Sequence, residues 1–212
     1  MQQITIGFSK EEIKKVEVEE NNEPLVPIPE GEKIKLLHEH TYLSPVLRKT
    51  ACELLVKVAH NLPEGYKLLI VTAYRPISMQ KEMWRNRLWQ MAKAHPFQMI
   101  FQYWKWKKVA SQYTAPPGGS SHQCGAAVDL TILDENDNRL DMGTSFTEFG
   151  KKVHTDSDLV SDEQKKNRKM LFNLMTEVGF VNYSLEWWHY SYGDRMWAAY
   201  RREKKCFYGP IY

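Results

Sequence analysis

The stretch SSHQCGAAVDLTI, residues 120–132, decides how this chain is organised. Its second half alternates the apolar residues Val128, Leu130 and Ile132 with smaller or polar residues, which is the period-2 pattern of a half-buried strand. On such a strand Asp129 points away from the core, towards the opposite face of the sheet. The stretch therefore predicts a strand with one apolar face and a carboxylate on the other.

His122 precedes that strand and meets Asp129 only if the chain turns between them, because a separation of seven residues puts two side chains on opposite faces of a regular strand. Gly125 supplies a residue at which the backbone can curl tightly. The preceding PPGG at 116–119 predicts a loop that enters the site. An imidazole and a carboxylate brought together in this way suit zinc, which still needs another protein ligand and an open position to be catalytic.

The stretch EWWH, residues 186–189, supplies candidates for the rest of such a site. His189 is the candidate third ligand. Glu186 is the candidate base, because a carboxylate beside a zinc site can take a proton from water and pass it to a leaving amine. If the segment is helical, the spacing of three puts both side chains on one side, whereas a strand requires a twist or a bulge. The sequence leaves both conformations open.

Two ordered motifs carry a family resemblance. The pattern S-x-H-x-x-G-x-A-x-D occurs at 120–129 and E-x-W-H at 186–189. Both are signatures of the zinc D-Ala-D-Ala metallopeptidase family, and the continuation of the second motif looks most like the D-alanyl-D-alanine dipeptidases, including those of vancomycin resistance. The resemblance implies hydrolysis of D-alanyl-D-alanine with one zinc ion per chain, bound by His122, Asp129 and His189, and with Glu186 as base.

Arg75 follows a predicted buried strand at 66–73, and an arginine in that place can reach into a cleft while its stem packs on apolar neighbours. From position alone, a surface ion pair is an equal alternative. The resemblance implies that Arg75 polarises the scissile carbonyl and stabilises the oxyanion, which is chemically sensible for a fixed guanidinium in a water-poor site.

The remaining candidates concern the substrate. The resemblance makes Ser120 a candidate for holding it, with capping of the loop as the alternative. Asp141 begins a DMGT segment that resembles the dipeptidases, and it is either a partner for the substrate ammonium or a turn cap. Trp187 and Trp188 are expected to line the pocket and to orient the flanking Glu186 and His189.

Composition limits the partners that this chain calls for. Its 212 residues carry 29 basic and 26 acidic side chains, a net charge of +3, which does not call for nucleic acid or a membrane. No apolar run approaches the roughly 20 residues of a membrane span, and the start lacks the apolar core of a signal peptide. Three widely spaced cysteines, an odd number, do not indicate a disulfide framework. We therefore expect a cytoplasmic protein, with the periplasm open as the alternative if a signal peptide has been removed.

The pattern along the chain predicts the other elements. Ser44 and Pro45 predict the start of a helix that Pro63 follows. Residues 77–94 show helical periodicity, and 97–108 interleave aromatic residues with lysines. We interpret 97–108 as a second helix or a lid over the site, with binding to bases, a membrane surface or glycan strands as alternatives. The pair His38 and His40 is interpreted as solvated rather than as a second metal site.

Further along, a turn is predicted at 133–140, a helix from the capping box at 161–164 to Gly179, and a strand at 180–183. These elements predict an α+β fold, and the family resemblance implies one like that of hedgehog and D,D-peptidase domains. We expect one domain over 1–212, with an N-terminal arm at 1–35 and a core at about 40–200. A small, antiparallel-rich sheet should carry the zinc residues on one face and helices on the other.

Two alternatives to the dipeptidase remain. The vancomycin-type dipeptidases carry a Y-A-T-x-N-F stretch near the N-terminus that is missing here, which keeps a D,D-carboxypeptidase or another peptidoglycan-peptide hydrolase as the second candidate. A non-catalytic zinc-binding interaction module is the third, because hedgehog signalling domains resemble this fold. Glu186 and Arg75 argue against that module, since a structural zinc site is usually closed by a fourth protein ligand. The expected partner is a small peptide substrate, and the sequence predicts no oligomeric state.

Overall fold

The strand that carries Asp129 is the middle strand of a five-stranded sheet in a computed structural model of the protein, which describes residues 10–38 and 45–212. Numbered along the chain, the strands are β1 (Glu17–Val18), β2 (Leu25–Pro27), β3 (Ile34–Leu36), β4 (Val46–Arg48), β5 (Lys67–Thr72), β6 (Ala127–Leu133), β7 (Val181–Asn182), β8 (His189–Ser191) and β9 (Lys205–Cys206). The α-helices are α1 (Lys10–Lys14), α2 (Lys49–Asn61), α3 (Ile77–Ala94), α4 (Pro96–Phe101), α5 (Tyr103–Tyr113), α6 (Asp162–Glu177) and α7 (Arg195–Tyr200). Short 3-10 helices lie at Ser121–Cys124 and Lys151–Val153.

The sheet is mainly antiparallel, as the sequence predicts. Its strand order is β3-β5-β6-β8-β7. The pairs β5–β6, β6–β8 and β7–β8 are antiparallel, and only the edge pair β3–β5 is parallel. This arrangement places β5, which leads to Arg75, and β8, which begins at His189, on either side of the strand with Asp129.

One face of the sheet packs against α2 and α6, as expected for the α+β fold. The inward side chains of β6 are those predicted by the alternation, and Val128, Leu130 and Ile132 are fully buried. They share one apolar cluster with Leu55 of α2 and Leu171 of α6. Burial of side chains of this size contributes about 1.5–3 kcal/mol each. Asp129 therefore projects from the face that these two helices do not cover.

The predicted start of the first core helix is wrong. Ser44 lies outside the described residues, and α2 begins at Lys49 rather than near Pro45. The residues before it form β4, which pairs antiparallel with β2. The guanidinium of Arg48 closes that pair, because it donates to Glu23 O at 2.5 Å and Cys124 O at 2.9 Å. These partners are distant along the chain. Long-range strand pairing therefore determines the conformation of residues 46–48, although the local sequence favours a helix. The end of the helix before Pro63 agrees with the prediction.

Helices α3 and α5 form an antiparallel pair that α4 closes at one end, which we call the helical hairpin. The amide of Gln80, near the start of α3, donates to Ala115 O just after α5 at 2.6 Å. At the other end of α3, the rings of His95 and Trp106 stack with centroids 4.5 Å apart. The predicted helix at 77–94 is confirmed at both ends. The aromatic and basic stretch is helical, as one of its interpretations proposed.

The later elements also follow their local signals. The capping box of Ser161 and Gln164 opens α6, and Gly179 follows its end with a φ of 107°. A turn at Asp134 joins the end of β6 to a bridge between Leu133 and Arg139. Among the residues described, no helix combines the length and the hydropathy that a bilayer crossing requires.

The first and last strands of the described residues lie side by side near the loop that carries His122. Strand β9 pairs in parallel with β1, and the N–H of Gly209 donates to Glu20 at 2.7 Å. Beyond it, the N–H of Ile211 donates to the carbonyl of Gln123 at 2.9 Å. The C-terminal segment therefore supports the loop that carries His122. All three cysteines are free and buried, in agreement with the absence of a disulfide framework.

Candidate metal centre

Asp129 and His189 are brought together by strand register. The two residues face each other across the antiparallel pair of β6 and β8, and directly opposed residues in such a pair have neighbouring side chains on one face. Nδ1 of His189 lies 2.9 Å from Oδ1 of Asp129. Two of the predicted ligands therefore come from adjacent strands, which hold them more rigidly than a loop would.

His122 reaches the same carboxylate from the 3-10 helix. That helix ends at Gly125, whose φ of 67° is left-handed and turns the chain into β6. Nε2 of His122 lies 3.2 Å from Oδ2 of Asp129, and its Nδ1–H donates to the carbonyl of Ala73 at 2.8 Å. The turn predicted between His122 and Asp129 is thus present, and it uses the predicted glycine.

The three side chains have the donor set and arrangement of a metal site. One ligand atom from each of His122, Asp129 and His189 can be chosen so that all lie within 4.8 Å of one another. The outer ring nitrogens are engaged as well, since Nε2 of His189 and the hydroxyl of Ser121 are hydrogen-bonded at 2.9 Å. Two imidazoles and one carboxylate are a common set for a catalytic zinc site, and outer hydrogen bonds of this kind orient the rings. The residues therefore fit a zinc ion.

The electrostatics favour the ligand forms of two of these groups. Burial lowers the pKa of His122, against the opposing charge of Asp129. Burial alone would raise the pKa of Asp129, but both histidines bring it far below its ordinary range. Burial would lower the pKa of His189, but the hydrogen bond and charge of Asp129 raise it overall. A neutral His122 and an ionised Asp129 are the forms that bind a cation.

Arg75 lies beside the three candidate ligands, just after β5. Its backbone N–H donates to the carbonyl of His122 at 3.1 Å, and its Nη1 donates to Oε1 of Gln80 at 3.1 Å. Burial lowers its pKa, while the charges of Asp129 and Glu186 raise it. The guanidinium remains a cation, held by α3 within electrostatic reach of both carboxylates.

Glu186 lies in the turn between β7 and β8, in neither of the two conformations that the sequence left open. Its N–H donates to Tyr183 O at 2.8 Å, and its carbonyl accepts from the N–H of His189 at 3.2 Å. Burial, with the negative charge of Glu186, raises the pKa of Tyr183 to about 12. The same carboxylate acts on the pKa of Arg75 and His189, so the turn brings Glu186 into the electrostatic environment of the site.

The four candidates for substrate contact occupy different places. Ser120 is buried at the start of the 3-10 helix, where its N–H donates to Oε1 of Gln123 at 3.3 Å. Asp141 is exposed, and its carboxylate accepts from Gly143 N and from Gln164 Nε2, each at 2.8 Å. These two bonds correspond to the turn-cap alternative and tie Asp141 to α6 rather than to the metal ligands.

Trp187 and Trp188 are buried in the main apolar cluster. The ring of Phe146 lies 5.2 Å from Trp187 and 5.5 Å from Trp188, measured between centroids. Nε1 of Trp187 donates to the hydroxyl of Thr144 at 2.8 Å. Both rings therefore anchor the turn that contains Glu186.

The sequence did not indicate three supporting residues. Ser121 contacts the far nitrogen of His189 across 68 positions, Gln80 holds Arg75, and Tyr183 lies with its ring centroid 6.0 Å from that of His189. Ser121 lies inside the first motif, so its place beside a ligand was a usable signal. Gln80 lay five positions after Arg75 on a predicted helix, but its orientation depends on how α3 packs.

Comparisons with known proteins agree with this geometry. The peptidase M15 family profile, described as D-Ala-D-Ala dipeptidase, matches residues 39–209. A D-alanyl-D-alanine dipeptidase of Synechocystis sp. is 28% identical over an alignment that covers 92% of this chain and 95% of the relative. The D-alanyl-D-alanine dipeptidase of Escherichia coli (strain K12) is 35% identical, over 59% of this chain and 55% of the relative.

Among solved structures, the LdcB LD-carboxypeptidase superposes with a TM-score of 0.52 and 21% identity, covering 87% of this chain and 81% of its own. That likeness concerns the fold alone. The profile match extends over most of the chain and includes the three candidate ligands and both catalytic candidates. The chain therefore belongs to the M15 peptidase family and is a metallopeptidase.

Proposed function

We propose that this protein hydrolyses D-alanyl-D-alanine to two molecules of D-alanine, with one zinc ion per chain held by His122, Asp129 and His189. The convergence of these three side chains, with their ligand atoms within 4.8 Å, is the observation that carries the proposal. The Synechocystis dipeptidase, aligned along nearly the whole chain, supports the choice of substrate. A zinc ion in such a set supplies Lewis acidity, which makes water a nucleophile near neutral pH and polarises a carbonyl.

Glu186 is the proposed general base and acid. It accepts a proton from the water that attacks the scissile carbonyl carbon, and it delivers a proton to the amide nitrogen as the C–N bond breaks. One product leaves with a new carboxylate and the other with a free amine, so the atoms of one water are accounted for. Main-chain bonds of Glu186 with Tyr183 and His189 support this role, as does the effect of its charge on the pKa of His189.

Arg75 is the proposed partner of the oxyanion. Its guanidinium is held by Gln80, and its main-chain N–H donates to the carbonyl of His122, so the side chain needs no rearrangement as negative charge develops on the substrate oxygen. Loss of one such donor typically costs about 10²–10³ in kcat. We expect Arg75→Lys to lose much of this effect too, because an ammonium lacks the planar fork.

Recognition of the two substrate ends is assigned to Ser120 and Asp141, and Trp187 and Trp188 support the pocket wall. A substrate ammonium at Asp141 has to replace or share the bonds from Gly143 and Gln164. The carboxylate keeps lone pairs beyond those two bonds. Asp141→Asn is expected to raise KM for the dipeptide more than it lowers kcat if the ammonium binds there.

The test measures D-alanine release by zinc-loaded protein from D-Ala-D-Ala and from a pentapeptide that ends in D-Ala-D-Ala. The dipeptide is expected to be cleaved, and Glu186→Gln is expected to lower kcat by at least about 10². Glu177→Gln, the same change at the end of α6, serves as the control. Cleavage of the pentapeptide alone would move the assignment to a carboxypeptidase. If neither is cleaved although zinc is bound, a non-catalytic zinc module replaces the proposal.

A further inference from the structure

The helical hairpin concentrates the positive charge of the chain. No Asp or Glu occurs between Glu82 and Asp129, whereas that interval contains six basic residues. The whole chain has 29 basic and 26 acidic residues, so the remainder has 23 basic and 26 acidic residues. The interval therefore has a net charge of +6, and the remainder has a net charge of −3. The modest total of +3 conceals this separation. The six basic residues are Arg85, Arg87, Lys93, Lys105, Lys107 and Lys108.

The closed end of the hairpin also exposes large aromatic side chains. Phe97 and Phe101 of α4 are 76% and 82% exposed, and Trp104 at the start of α5 is 77% exposed. We call these three residues the aromatic tip. Phe97 and Phe101 are four positions apart and share one side of their helix. A cluster of exposed apolar side chains of this kind indicates a site of interaction with another molecule or a membrane.

Lysines surround the aromatic tip. Lys105 and Lys108 are exposed on α5, and Nζ of Lys107 lies 5.3 Å from the ring centre of Trp104. Nearby on α3, Nζ of Lys93 lies 3.7 Å above the exposed ring of Trp89. The same surface thus combines apolar rings with cations and carries no carboxylate.

The aromatic tip is remote from the metal centre. Gln80 ties the first turns of α3 to Arg75, and α3 then runs for 18 residues, a length of about 27 Å at 1.5 Å per residue. Phe97 follows the far end of that helix. The closed end therefore lies far along α3 from Arg75, too far for its exposed rings to cover a substrate at the site.

We propose that the aromatic tip and its lysines dock the protein on the surface of an anionic phospholipid bilayer. Phe97 and Phe101 have no polar group with which to hydrogen-bond a sugar, and exposed rings can enter the soft boundary of a bilayer without a preformed groove. Rings at the headgroup boundary with flanking lysines over anionic headgroups are the pattern of interfacial helices. The charge separation orients the molecule with its acidic remainder away from the bilayer.

The test is co-sedimentation of the whole protein with vesicles made of equal parts phosphatidylglycerol and phosphatidylcholine, compared with phosphatidylcholine alone. Binding is expected only to the anionic vesicles and should weaken steeply with added NaCl. The combined variant Phe97→Ser, Phe101→Ser, Trp104→Ser should abolish binding. The combined variant Lys105→Gln, Lys107→Gln, Lys108→Gln should weaken it by about fivefold per lysine.

Leu159→Ser is the matched control, because Leu159 is an exposed apolar side chain outside the hairpin. Unchanged thermal unfolding of each variant establishes that it is folded. Absence of binding to anionic vesicles would overturn the proposal, as would equal binding to neutral ones. Equal binding by the aromatic variant would also overturn it. Binding to purified peptidoglycan or single-stranded DNA without binding to vesicles would replace the bilayer by that polymer.

Discussion

The two histidines of the metal centre use both ring nitrogens in different ways. His122 is oriented by a backbone carbonyl, and His189 by the hydroxyl of Ser121. That candidate ligands would converge was predictable, because strand alternation and motif spacing are local properties of the sequence. The contact of Ser121 with His189 was not, because it depends on the packing of the 3-10 helix over β8.

Ser121 is expected to set the tautomer of His189. For Nδ1 to bind a metal, the proton must sit on Nε2 and be donated to the serine oxygen. Ser121→Ala should lower the zinc affinity of the metal-free protein by about 10–100-fold, measured by competition with a chelating dye. Ser121→Thr should restore most of it. Equal affinity in wild type and Ser121→Ala would show that the hydroxyl has no such role.

Asp194 is a buried carboxylate whose ionisation should make stability depend on pH. Burial raises its pKa, although bonds from the Ser191 hydroxyl and the Trp197 N–H partly offset this. Because the folded pKa is the higher one, the stability contribution is full below the unfolded pKa of about 3.9 and is lost as pH rises through the folded value.

We therefore expect the free energy of unfolding of wild type, relative to Asp194→Asn, to fall as pH rises from about 4 to 7. Asparagine is suited to the same N-cap position. Urea unfolding at several pH values measures the difference, and Asp158→Asn, at an exposed site, corrects for the change in net charge. A difference that does not vary with pH would contradict the expectation.

At the scale of elements, the predictions succeeded where the residues that start and end an element are close to it in the sequence. Pro76 and Pro96 flank α3, and its bounds agree with the predicted 77–94. The predicted start of α2 was wrong because the residues before it pair as β4 with β2, and this pairing cannot be read from the local sequence. The conformation of the turn around Glu186 could not be predicted from the sequence either, because it depends on how Trp187 and Trp188 pack in the core.

Gly125 is expected to be a sensitive backbone position of the loop that carries His122. Its φ of 67° disfavours any residue with a side chain, by about 1–2 kcal/mol, and a Cβ there would overlap Leu25 Cδ2. Gly125→Ala should therefore lower both thermal stability and zinc affinity. Gly31→Ala is the control, because an added Cβ meets nothing within 4 Å there. Equal effects of the two changes would refute the role of the turn.

At the scale of the whole molecule, the loop that carries His122 is supported by segments that are far apart in the chain. Tyr208 is buried against Cys124 and Ala126, and its hydroxyl donates to Glu23. The sheet and its helices were predictable from periodicity. The pairing of β1 with β9 was not predictable, because both strands are short and lie far apart in the sequence.

Tyr208→Ala is expected to destabilise the protein by about 3–5 kcal/mol, as for other large buried aromatic residues. It should also weaken zinc binding, because the His122 loop loses its support. Tyr212→Ala is the control, since that side chain is 88% exposed. Denaturant unfolding and zinc titration of both variants measure the effects. A destabilised Tyr208→Ala that retained wild-type zinc affinity would show that the tail supports only the fold.

The hydrogen bond from Ile211 to the loop carbonyl of Gln123 has a consequence for synthesis. Translation proceeds at about 5–20 residues per second, so the loop is made several seconds before the segment that holds it. During that interval the histidine of the loop lacks its final support, and the centre is incomplete. We therefore expect the nascent chain to acquire peptidase activity only after β9 and the segment up to Ile211 have folded back onto that loop.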